Sequence, residues 1–108
     1  MSEQIVKPDY ANAIAKEIEE VVSGSIATVI NQNTIQIDNG GIISSVRVRD
    51  SRKGSMADVK VTHGGKSKYE DTGAKVVGEA WVREDKGVHV TIKEKAIKEI
   101  ASNSTDWD

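Results

Sequence analysis

The side chains able to do chemistry in this 108-residue chain are two histidines, a few runs of carboxylates, and one cluster of cations. His63 and His89 stand in no metal-binding spacing such as HExxH. His89 alternates with Val88 and Val90, as a residue on a strand face would. His63 precedes Gly64 and Gly65, which places it at the mouth of a loop. The carboxylates cluster locally, as Glu17, Glu19 and Glu20 and as Glu84 and Asp85. Acid–base pairs need two carboxylates held opposite each other by the fold, whereas neighbours in a helix or turn point apart. No nucleophile elbow of the GxSxG kind is present. The doublets Gly40-Gly41 and Gly64-Gly65 form neither a phosphate-binding loop nor a dinucleotide fingerprint. Without Cys, disulfides and thiolate metal sites are excluded. These residues predict a protein that is not an enzyme and holds no cofactor, metal or small-molecule substrate.

The cations are the exception. The run Ser45–His63, SVRVRDSRKGSMADVKVTH, alternates Val46 and Val48 with Arg47 and Arg49, and Val59 and Val61 with Lys60. Period-two alternation puts the valines on one face and the cations on the other. Arg52 and Lys53 sit between the arms in a stretch of turn formers. From Arg47 to Lys68 seven Lys or Arg face two Asp, a local charge of +5, inside a chain whose net charge is −2.

Three readings of this hairpin stay open. It binds nucleic acid, with five neutralised phosphates giving a log–log salt slope of roughly −4 to −5. It docks on an acidic protein surface, such as the acidic helix of a neighbouring copy. Or it is a solvated strand face whose cations guard an edge. The stretch itself has no aromatic for base stacking, so a protein partner is preferred. Trp107 is the second candidate contact. It lies in the polar tail SNSTDWD, where it helps no core unless the tail folds back; the two readings are an anchor in a neighbour's pocket and a disordered end. The predicted partner-binding residues are therefore Arg47, Arg49, Arg52, Lys53, Lys60 and Trp107.

The elements that must position these residues follow from pattern and composition. There is no Leu or Phe, while Ile and Val number 25. β-branched residues suit a pleated surface, so the core should be mostly sheet. Asp9 can cap a helix in which Tyr10, Ile14, Ile18, Val21 and Val22 share a face, and Ser23-Gly24 ends it. Strands are predicted at 25–30, 34–38, 42–49, 57–62, 76–83 and 88–92, with a strong hairpin turn at Asp38-Asn39-Gly40-Gly41. Gly64–Gly73 reads as a polar loop. Residues 93–101 predict a short helix with Ala96, Ile97 and Ile100 inward. The expected fold is α+β: an N-terminal amphipathic helix, six short antiparallel strands in a small barrel or sandwich of the OB or SH3-like kind, and a C-terminal helix. Residues 1–8 are expected to be a flexible arm, 9–101 one domain, and 102–108 a polar tail. No secretion signal or bilayer-length apolar run is seen, which predicts a soluble protein, cytoplasmic or incorporated in a virion-like particle, and no membrane partner.

The helix followed by SGSIATVINQNTIQIDNGG resembles the start of small accessory proteins of tailed-phage and phage-like contractile tails. The pattern is carried by Ser25, Val29, Ile35, Ile37 and Asp38, over roughly a third of the chain. Ser25 stands where such proteins often have Gly, and the second half has no counterpart. The resemblance implies a structural subunit of a tail, neck or baseplate, with no catalytic residues to carry over. The expected function is a non-enzymatic assembly subunit, homo-oligomeric or within a larger particle. The alternative is a small nucleic-acid-binding or regulatory protein using residues 45–63.

Overall fold

The computed structural model describes residues 9–66, 72–85 and 87–102. Helix α1 (Tyr10–Val21) leads into six strands and a closing helix. The strands are β1 (Ser25–Asn31), β2 (Thr34–Asn39), β3 (Ile42–Asp50), β4 (Val59–Gly64), β5 (Ala74–Val82) and β6 (Val88–Ile92), and α2 spans Glu94–Ser102. The sheet runs in the order β1-β2-β3-β4-β5-β6, every neighbouring pair antiparallel. It is a meander curled into a half-barrel, a simpler path than the Greek key of an OB fold.

The alternation of the sequence decides the two faces. Ile35, Ile37, Val46, Val48, Val59, Val61, Val77 and Ala80 turn to one side and are buried. Both helices cover that side. Ala11, Ile14, Ala15, Ile18 and Val22 come from α1 and Ala96 and Ile100 from α2, and all join the strand residues in a single core. Helix α1 touches both outer strands, β1 and β6, and so stands across the opening of the half-barrel. The Glu19 carboxylate accepts from the Ala27 N–H at 3.0 Å, covering one donor of the free β1 edge.

Local chemistry fixes the ends. The Asp9 carboxylate accepts from the Asn12 backbone N–H at 3.0 Å, the N-cap read from the sequence. Gly40 and Gly41 connect β2 to β3 as a two-residue hairpin turn with φ of 63° and 96°, which explains why two glycines stand there. The arm predicted at 57–62 is shifted: β4 begins at Val59 and runs to Gly64. Ala57 instead donates its N–H to the Ser55 hydroxyl at 3.2 Å, and so belongs to the preceding turn. Strand β5 likewise starts early, at Ala74, because Ala74 pairs with Gly64 across the β4–β5 ladder. The predicted arm 1–8 and residues 103–108 of the predicted tail lie outside the described residues.

Candidate functional site

Because both helices lie on the inner side, no helix of the described residues covers the outer face of the sheet. The register brings its residues into rows. Arg49 pairs with Lys60, and Lys60 with Glu79 and through it Thr91. One row along, Thr34, Arg47, Thr62 and Val76 lie side by side. The Arg47 guanidinium donates to the Thr34 hydroxyl at 3.1 Å. Arg52 and Lys53 are exposed in the loop between β3 and β4. The structure thus gathers Arg47, Arg49 and Lys60 on one face, with Arg52 and Lys53 at the end of the same hairpin. Trp107 lies outside the described residues.

Other parts of this face do not show in the hairpin sequence. Ile26 and Ile43 flank Asp38 across β1–β2–β3 and are 63% and 39% exposed. Ile30, the extra residue of a bulge near the end of β1, is 56% exposed. At the opposite corner Trp81 pairs with His89, their rings 4.7 Å apart. Beside Trp81 a shallow recess of about 330 Å³ is walled by Met56, Ala57, Glu79 and Trp81. Met56 is 98% exposed. The sequence marks Trp81 as a strand residue, but only the register shows that it shares the cations' face.

A second polar group lies on the inner side. His63 is buried, and its Nε2 is 2.7 Å from the Ser44 hydroxyl oxygen. Its Nδ1 is 4.0 Å from Glu99 on α2, and Glu99 is 3.7 Å from the Lys75 ammonium. Burial holds the imidazole below its ordinary pKa; Glu99 opposes that shift and Lys75 adds to it. A serine bonded to a histidine is the first half of a nucleophile–base pair. Here Ser44 is fully buried and the carboxylate stands beyond hydrogen-bond length, so the group fastens α2 to the sheet and offers no surface to a substrate.

A wide cleft of about 890 Å³ opens between the start of α1 and the far end of β3, bordered by Asp9, Tyr10, Gln32, Asn33, Arg49 and Asp58. Its polar groups are partly spent on the fold. The Tyr10 hydroxyl donates to Asp58 at 2.7 Å, and the same carboxylate oxygen accepts from the Val82 N–H at 3.1 Å. Burial and this carboxylate push the Tyr10 phenol up to about 12. Among the described residues no group of three or more His, Asp or Glu is placed to hold a metal ion, and no helix is long and apolar enough to cross a membrane. Comparison of this chain with family models, with curated proteins and with solved structures found no match.

Proposed function

We propose that this chain is a non-enzymatic assembly subunit that docks on neighbouring copies through the outer face of its sheet. One observation carries the reading: that face joins the cations Arg47, Arg49 and Lys60 to the exposed isoleucines Ile26 and Ile43. A sheet face that only meets water is ordinarily polar. Exposed aliphatic side chains gain from being covered, and cations beside them steer and register an acidic partner. Arg, with its planar fork of donors, suits contact surfaces better than Lys. The chain is acidic on both sides of the hairpin, so a second copy offers the complementary charge. The particle we propose as the setting, a phage-like tail, neck or baseplate, rests on the N-terminal pattern alone. Four of its five residues, Ser25, Ile35, Ile37 and Asp38, here bury against the core or hold the β2–β3 turn.

The test is the double variant Arg47→Glu with Arg49→Glu, followed by light scattering on a sizing column. The expected result is a lower native mass with an unchanged circular dichroism spectrum. An assembly of wild-type mass would sink the reading. A second reading has one observation of its own: Trp81 and His89 put aromatic rings on the cations' face, as single-strand nucleic-acid platforms do. Copurifying polyanion, seen as excess short-wavelength ultraviolet absorbance and lost from the double variant, would favour it.

A further inference from the structure

A shallow recess lies beside Trp81 on the outer face. Three of its four lining residues, Met56, Ala57 and Trp81, are apolar. Charges of both signs surround it. Lys60 sits opposite Glu79 in the ladder, one diagonal step of about 7–8 Å from Trp81, with Arg49 beyond it. Arg52 and Lys53 stand just ahead of Met56 in the loop, while Glu79 walls the recess and the Asp58 carboxylate beside it is taken up by the Val82 N–H and the Tyr10 hydroxyl. An aromatic anchor matches the apolar lining, and flanking acids match the nearby Lys60 and Arg52. Asp106-Trp107-Asp108 has that composition, and Trp is the residue type that most often anchors an interface pocket.

Geometry decides whose tail it is. Helix α2 ends at Ser102, and the Ala101 carbonyl accepts from the Asn39 side-chain amide at 2.8 Å, so it ends beside the β2–β3 turn. The recess lies at the other end of the sheet, past the row of Asp50, Val59 and Ala80. Along β3, from Ile42 to Asp50, that is about 26 Å. Five residues from Ser102 to Trp107 reach at most about 18 Å even fully extended, and they must also cross from the inner to the outer face. A chain cannot fill its own recess.

We infer that residues 103–108 of one copy dock on the next, with Trp107 in the recess lined by Met56 and Trp81 and Asp106 and Asp108 toward Lys60 and Arg52. This rests on the assembly reading above and names its partner. The contact is heterologous, since tail meets recess rather than itself. It therefore builds a ring where the rotation closes and a filament where it does not.

The experiment uses full-length chains. Wild type, Trp107→Ala and Met56→Asp are run on a sizing column with light scattering across a concentration series. Met56 is almost wholly exposed, so its replacement leaves the core intact. The wild type should exceed the chain mass of 11.7 kDa. Each variant alone should associate at least about 30-fold more weakly. Mixed one to one, the two should form a capped dimer, because one retains the recess and the other the tail. A Trp107→Ala protein of wild-type mass overturns tail docking; if that assembly is still lost in the Arg47→Glu, Arg49→Glu variant, the assembly reading survives. A mixture that stays monomeric also overturns tail docking. A wild type monomeric at every concentration overturns both. A mass excess removed by nuclease overturns both in favour of the nucleic-acid reading.

Discussion

At the residue scale the informative group is His63. Four elements meet there: His63 itself on β4, Ser44 on β3, Lys75 on β5 and Glu99 on α2. In the tautomer that places Nδ1–H toward Glu99, Nε2 accepts from the Ser44 hydroxyl. Adding a second proton forces that hydroxyl to reverse and creates a cation in a buried site. Because the folded-state pKa lies below 6.5, the unfolded chain takes up the proton first as pH falls. The stability that neutral His63 contributes is thus complete above 6.5. It drains away as pH drops through the folded-state pKa and changes no further below it. Urea unfolding between about pH 7.5 and 5 should show a falling midpoint in the wild type. His63→Met, which can neither titrate nor pair with Ser44, should start lower by about 1–3 kcal/mol, because the Ser44 hydroxyl loses a buried partner. Its curve should be flatter over the same range. Equal slopes in the two proteins would assign the pH dependence to other groups. None of this is legible in the sequence. Ser44 and Glu99 lie 19 and 36 positions from His63, and only the ladder register and the seating of α2 bring them together.

At the element scale the alternation of Val46, Val48, Val59 and Val61 was enough to assign the two faces of the hairpin, because a buried face tolerates no slip of one residue. The same pattern placed every strand and both helices, since Ile14 and Ile18 repeat at helical spacing. What it could not show is where the period breaks. Across β4 and β5, Val61 faces Gly78 and Thr62 faces Val76, leaving Val77 as the extra residue of a bulge. Val77 turns into the core there, and β6 crosses tightly behind Gly78. A Cβ at Gly78 would stand 2.6 Å from the Thr91 carbonyl oxygen and 2.7 Å from the Ile92 Cδ1. Gly78→Ala should therefore cost about 1–3 kcal/mol by overpacking, measured as loss of unfolding free energy in urea. Adding Ile92→Val should recover only part of it, because the Thr91 carbonyl is backbone and stays in place. Full recovery would place the strain in the side chain alone. A neutral Gly78→Ala would mean that β5 and β6 are spaced more widely than described.

At the scale of the whole molecule the argument concerns charge and its range. The chain is acidic overall yet gathers five of its fifteen cations on one hairpin, and no helix of the described residues covers that hairpin's outer side. The sequence disclosed the cation cluster but not its neighbours. Ile26, Ile43 and Trp81 join it only through pairing across the sheet, which no local pattern encodes. Those neighbours set the salt response. A protein contact that buries isoleucines and a Trp draws most of its free energy from apolar area, which salt does not screen. Its exposed ion pairs contribute about 0–1 kcal/mol each. A nucleic-acid contact through Arg47, Arg49, Arg52, Lys53 and Lys60 draws its affinity from counterion release. With five phosphates neutralised, a fourfold rise in salt should weaken it about 500-fold. Sedimentation equilibrium over such a fourfold range should therefore show self-association changing by less than about tenfold. A steeper collapse would mean that the cations, and not the isoleucines beside them, dominate the contact, and that the natural partner is a polyanion.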